Sequence, residues 1–185
     1  GAGTSSSPYL ITSAKELAGL AYQVNAGNTY SGIYFKQTTN LDMSAHYWTP
    51  IGGSSKRFCG NFNGSNFTIS GLFSEPTSTP YQGLFGYTGS RATIQNVGIK
   101  DSYIQGNHHI GAIVGNAEST DITNCYNLST VLCTEDEVGG IAGGLSNSTV
   151  SNCYNTGTVS VNTSVHYIGG IAGYTTSSSI VNCYN

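Results

Sequence analysis

The chain has 185 residues and a net charge of −3, and only 8% of it is charged where about 25% is usual in a soluble domain. Six Lys and Arg residues, scattered along the chain, cannot build a phosphate-neutralising stripe, so nucleic-acid binding is not expected, and no apolar run approaches the ~18 residues of a membrane span. Polarity comes from Ser, Thr, Asn and 25 Gly, a neutral hydrogen-bonding composition common in extracellular β-proteins.

Residues 1–7, "GAGTSSS", read as a flexible polar leader from which any targeting segment has been removed. In "TSAKELAGLAYQVNAG", Ser13 and Glu16 form a capping box. Leu17, Leu20, Ala21 and Val24 follow at helical spacing, and Gly27 suits the position after the helix. Strands are expected in "GIYFKQTTNLDM". Residues 8–47 thus read as a helix-and-strand cap laid over an open end that would otherwise expose core and unpaired edges. Trp48 is expected to pack at the junction, and residues 48–185 to form one continuous domain with the cap.

From there the chain repeats. "YQGLFGYTGSRATIQNVGI", "IGAIVGNAESTDITNCYN", "VGGIAGGLSNSTVSNCYN" and "IGGIAGYTTSSSIVNCYN" superimpose, aligning Gly86, Gly115, Gly143 and Gly173 and also Asn96, Asn124, Asn152 and Asn182. A degenerate copy is read in "GNFNGSNFTISGL", where Gly60, Phe62 and Gly64 match Gly111, Ile113 and Gly115, and Ile69 and Leu72 match Ile94 and Val97. Ile110, Ala112 and Val114 alternate against Ile113, and Gly, Asn and Ser-Thr clusters flank the runs, which is strand-and-turn patterning. A period near 28 suits one coil of a parallel β-helix better than a propeller blade or a leucine-rich repeat. Three residues separate Val150 from Cys153 and Ile180 from Cys183, so a bend must lie between them if both face inward. The four repeated asparagines sit at that bend, where Asn accepts left-handed backbone and its amide can bond along the stack. The chain ends within a copy at Asn185, so a longer parent protein or a partner is expected to cover that face.

Cys125, Cys153 and Cys183 share one ladder position, with Cα spacing a disulfide permits but Cβ spacing wider than it prefers; they are expected as buried thiols, with Cys59 and Cys133 unpartnered. His108 and His109, adjacent on a strand, should point to opposite faces and chelate poorly, and these and His46 and His166 are expected in exposed turns. "EDE" at 135–137 reads as a solvated acidic turn. No metal or cofactor is expected. Asp101, Glu118 and Asp121 are the carboxylates that could meet on one wall for glycoside hydrolysis. Tyr126, Tyr154 and Tyr184 follow the cysteines and should face outward as a ladder, read either as a stiffening stack on a wet wall or as a row able to stack on sugar rings.

"YLITSAKELAGLAYQVNAGNTYSGIYFKQTTNLDMSAHYWTPIG" and "FCGNFNGSNFTISGL" together with the repeats resemble bacterial surface proteins that carry GLUG-type repeats. The resemblance implies an all-β, right-handed parallel β-helix at the cell surface or secreted. Such repeats also occur in non-catalytic parts of immunoglobulin A peptidases, whose activity belongs to a zinc domain with H-E-x-x-H. That motif is absent from this chain, so no catalytic residue carries over. The expected role is adhesion or display, with a glycan or host mucosal protein as partner. A carbohydrate-active β-helix enzyme and a purely structural spacer are the alternatives.

Overall fold

Successive copies of the repeat lie directly on one another. The computed structural model describes residues 1–74, 79–162 and 167–185, which wind into a parallel β-helix of about six coils with a short helix at its start. Four walls recur. The long wall stacks Tyr9–Ile11, Tyr34–Gln37, Asn61–Asn63, Thr93–Gln95, Asp121–Thr123, Thr149–Ser151 and Ser179–Val181. A glycine wall stacks Phe85–Thr88, Val114–Glu118, Ala142–Ser146 and Ala172–Thr176; a tyrosine wall stacks Leu41–Asp42, Thr68–Ser70, Gly98–Lys100, Tyr126–Asn127 and Tyr154–Asn155. The fourth wall is built on Thr130–Gly139, with Tyr103–Gly111 on one side and Val159–Val161 and Ile168–Gly169 on the other.

Strand alternation sends every second residue inward, which is the middle residue in Asn61–Asn63, Thr93–Gln95, Asp121–Thr123 and Thr149–Ser151. On the long wall this stacks Phe35, Phe62, Ile94, Ile122 and Val150 in register, all buried. The corners follow one recipe. A residue with left-handed backbone is followed by a small buried hydroxyl or thiol, as in Asp101–Ser102, Ser119–Thr120, Asn124–Cys125, Asn147–Ser148 and Asn152–Cys153. That hydroxyl or thiol donates to the carbonyl two residues back, as Ser148 Oγ does to Ser146 at 2.8 Å and Cys153 Sγ to Ser151 at 3.2 Å. It also accepts the N–H of its counterpart in the preceding coil: Thr120 N–H to Ser148 Oγ at 3.1 Å, Cys125 N–H to Cys153 Sγ at 3.3 Å. One side chain therefore satisfies two backbone groups that the bend strips from the ladders.

At the start, helix α1 (Ala14–Asn25) buries Leu17, Leu20, Ala21 and Val24. Ser13 Oγ accepts the Glu16 N–H at 3.3 Å. The Glu16 carboxylate reaches one residue further back than a capping box requires, accepting from Thr12 N–H at 2.6 Å and Thr12 Oγ1 at 2.7 Å, bonds that hold its pKa below the ordinary value. Gly27 follows the C-cap with φ +112. Asn25 fastens the helix to the first coil, donating to Pro50 O and accepting from Gly52 N–H, both at 3.0 Å. Trp48 is buried beside it and donates from Nε1 to Gly83 O at 3.0 Å.

Three expectations are corrected. Residues 1–7 do not trail free: they fold back on themselves, and Gly3, buried, accepts the Tyr34 N–H at 2.9 Å. Ile110, Ala112, Ile113 and Val114 are all fully buried, because the chain turns a corner between Gly111 and Val114 and strict alternation does not span it. The degenerate copy lies one wall away from where it was placed. Phe62 pairs with Ile94, and Ile69 with Ile99. The glycine ladder starts instead in "PIGG", where Ile51 bridges Phe85 and so seats Gly52 below Gly86, Gly115, Gly143 and Gly173. Gly60 and Gly64 are small for a different reason, since a Cβ on them would lie 2.9 Å from Tyr30 O and 2.4 Å from Asn96 O.

Candidate functional site

The tyrosine wall carries the side chains that the sequence marks for binding. Tyr126, Tyr154 and Tyr184 stand in register, their rings stacked at centroid spacings of 5.0 and 5.2 Å, with an interplanar angle of 5° in each pair. Below Tyr126 the column is empty by design: a Cβ at Gly98 would meet the Tyr126 Cζ at 2.2 Å, so the ring lies on bare backbone. The faces expected to stack on sugars are thus taken up by one another. What the row offers outward is a comb of ring edges and phenol oxygens, and Tyr184 is the most exposed of the three at 60%. Burial raises the pKa of Tyr154, and the neighbouring phenols Tyr126 and Tyr184 raise it further.

Directly inside this row lies a second one that the sequence reading passed over. Asn127 and Asn155 are fully buried. Asn127 Nδ2 donates to Asn155 Oδ1 at 2.8 Å and Asn155 Nδ2 to Asn185 Oδ1 at 2.6 Å. The signal was present in the threefold "CYN", whose last letter recurs as faithfully as its first. The bend asparagines Asn96, Asn124, Asn152 and Asn182 all hold left-handed backbone, with φ of 57, 54, 53 and 52. Asn124 donates to Asn96 Oδ1 at 3.2 Å, and Asn182 to Asn152 Oδ1 at 3.3 Å.

All five cysteines are free thiols. Cys125, Cys153 and Cys183 form the corner row, and burial raises the pKa of Cys125 well above the ordinary value and, less strongly, those of Cys133 and Cys183. A thiol reagent is expected to modify Cys183 first in the native protein, and Cys125 and Cys153 only after denaturant is added, because Cys183 is partly exposed whereas Cys125 and Cys153 are fully buried. Rapid native labelling of Cys125, followed by mass spectrometry, would show that the corner opens.

His108, His109 and the acidic run are not where they were expected. His109 and Glu137 both adopt left-handed backbone, with φ of 55 and 63, inside their strands. That breaks the alternation and brings the two histidine rings to 6.5 Å. Glu135–Glu137 is part of the strand Thr130–Gly139, not a turn, and it faces the histidines of the preceding coil. His108 Nε2 pairs with Glu135 at 2.8 Å, and His109 Nδ1 with Glu137. Tyr81 stacks on His109 at 5.0 Å. His46 is exposed in a bend, and His166 lies outside the described residues. Among the described residues no three His, Cys, Asp or Glu side chains gather as a metal site.

The three candidate carboxylates are dispersed. Asp101 turns the corner after Lys100, to which it pairs at 3.3 Å. Asp121 opens a long-wall strand. Glu118 closes a glycine-wall strand and is engaged by Arg57 at 2.8 Å and by the Tyr87 hydroxyl, which donates at 2.9 Å. Arg57 also lies over the Tyr87 ring, 4.5 Å from its centroid.

A family model for the GLUG motif matches residues 106–132 and 137–160, two successive coils of this helix. The chain carries GLUG repeats. Their corners are the left-handed residue and small partner described above, and their glycines line the ladder through Gly115 and Gly143. The fold recurs in a solved structure from Bacteroides ovatus described as an immunoglobulin A1 protease. The TM-score is 0.75 at 21% identity, covering 98% of this chain and 66% of that one. A protein of Evansella cellulosilytica named as a Gly-rich membrane protein is 31% identical over 125 residues, 63% of this chain. Halomucin of Haloquadratum walsbyi is 34% identical over 130 residues, 65% of this chain. The matched stretches span only 14% and 1% of the length of those two proteins.

Proposed function

We propose that these GLUG coils are a non-catalytic module of an exported surface protein that serves adhesion or display, with a glycan or a host mucosal protein as partner. The carrying observation is the tyrosine comb, a straight row of phenol groups spaced 5.0 and 5.2 Å apart on a rigid wall with little charge. Phenols combine an apolar body with a polar tip, so a repeating polymer could be met by edge contacts and hydrogen bonds in series. The names of the relatives, a membrane protein and halomucin, support an extracellular setting.

The test is binding of the protein to arrayed glycans and mucosal proteins, beside two triple variants at Tyr126, Tyr154 and Tyr184. The change to Phe keeps the stack and removes the hydroxyls, whereas the change to Ala removes both. A specific hit that is lost in both variants is the expected result. A blank array favours a rigid spacer, a reading supported by the way the rings occupy one another's faces.

A further inference from the structure

We propose a second ligand site, on the long wall, that takes a carboxylated saccharide. It is independent of the tyrosine comb, which belongs to a different wall. At the first coils the folded-back leader rises beside the sheet and leaves a concavity of about 500 Å³, within the ~300–1,000 Å³ range of small-ligand sites. Ser6 and Leu10 border it, and Tyr34, Lys36, Asn63 and Gln95 are among its other lining residues.

The register explains why these side chains converge. Strand alternation turns Phe35 and Gln37 inward and leaves Tyr34 and Lys36 exposed. Lys36 pairs with Asn63, and Asn63 with Gln95, so one outward column presents an ammonium and two amides at the ~4.8 Å rung spacing. Their hydrogen-bonding capacity is largely unspent. Asn63 Oδ1 accepts from Ser65 N–H at 2.8 Å and from Asn96 Nδ2 at 3.0 Å, which leaves its own amide N–H groups for a ligand. The Gln95 amide makes no side-chain hydrogen bond, and Lys36 no ion pair, among the described residues. Donors, a half-exposed phenol ring and an apolar Leu10 edge together match a sugar ring, which carries hydroxyls at its rim and C–H groups on its faces.

Charge narrows the class. Among the described residues, Lys36 is the one charged side chain lining the concavity, and no carboxylate lines it. Asp121 stands two rungs beyond Asn61 on the same wall, about 10 Å away and so roughly a Debye length at 0.1 M salt. A lone ammonium in a concavity without acidic residues complements a carboxylate, whereas to a neutral sugar it offers hydrogen-bond donors but no charge pairing. An extended saccharide running along the stack would next meet the hydroxyls of Thr123 and Ser151, which continue the column.

The experiment titrates the protein with oligogalacturonate and with its methyl ester, which keeps the sugar backbone and removes the charge, using calorimetry or NMR shifts. The free acid is expected to bind about fivefold more tightly, a difference of the size one exposed ion contact supplies. Lys36→Gln should erase the preference, Gln95→Ala should weaken both forms, and the tyrosine triple variant should bind like the parent. Lys36 is exposed, so its substitution should leave the unfolding midpoint unchanged. Three results would overturn the site: no binding of either form, equal binding of the two, or a preference that survives Lys36→Gln and disappears with the tyrosine variant. The last would move anion recognition to the other wall and leave the adhesive reading standing.

Discussion

Gly143→Ala should unfold the protein at markedly lower denaturant, with a loss of about 3 kcal/mol or more, at or beyond the upper end of the usual range for overpacking a close-packed interior. A Cβ at this position would lie 2.4 Å from the carbonyl carbon of His109 and from the backbone nitrogen of Ile110, and 2.6 Å from Gly115 O. All three obstacles are main chain of the preceding coil, so no rotamer change can clear them. Relief requires spreading two coils, which breaks the ladder hydrogen bonds on either side. The control is Gly19, in the exposed middle of α1, where a Cβ would meet nothing within 4 Å. Gly19→Ala should stabilise the protein by up to about 1 kcal/mol through helix propensity alone. Equal midpoints for the two variants would refute the idea that the ladder glycines are there for coil-to-coil approach.

That ladder was legible because it repeats. Gly86, Gly115, Gly143 and Gly173 align without gaps that matter, and the bend at Asn124 and Asn152 follows from a three-residue step between two inward side chains. Helix α1 was equally legible, since its cap, its apolar face and its terminal glycine all obey local rules. Reading failed where one spacing serves two purposes. The G-x-F-x-G of Gly60 to Gly64 looks like a glycine-wall phrase, yet it flanks a long-wall strand, and only the pairing of Phe62 with Ile94 decides. The acidic run failed differently. Glu135 and Glu137 look like a solvated turn by composition, but the histidines that pair with them come from 27 and 28 residues earlier, a contact that appears only once the coils are stacked. The leader carries no pattern at all, and its backbone hydrogen bonds could not have been foreseen.

The strongest case of a residue hidden by its ordinariness is Asn155, and its substitution should be nearly as damaging as that of Gly143. The inner column of the tyrosine wall begins with Leu41, Ile69 and Ile99 and then changes to Asn127 and Asn155. On pattern alone, Asn155→Leu restores an apolar core column and ought to stabilise. The hydrogen bonds argue the reverse. After Ile99 the chain turns on Asp101 with left-handed backbone and on the Ser102 hydroxyl, which donates to Lys100 O at 2.8 Å. At Asn155 the side chain itself makes the turn, accepting from Gly157 N–H at 3.2 Å and donating to Gly157 O at 3.1 Å. It also accepts from Asn127 and donates to Asn185, so its amide is fully satisfied. Leucine would strand both backbone groups of Gly157 and the facing amides, each worth about 1–3 kcal/mol when left buried and unpaired. A total loss near 3–5 kcal/mol is expected, read from the denaturant midpoint. Asn155→Asp separates hydrogen bonding from shape. An ionised aspartate could still accept from Asn127 and Gly157 N–H but would turn a negative oxygen on Gly157 O and Asn185 Oδ1. Burial and those two acceptors would raise its folded pKa above the unfolded value of about 3.9. By linkage, its stability relative to the parent is greatest below that unfolded value and is lost as pH rises through the folded one. The aspartate variant should therefore come closest to the parent near pH 3.5 and fall away from it by pH 7.5. A deficit that does not change over this range would mean that the site responds to shape and not to the donors of the amide.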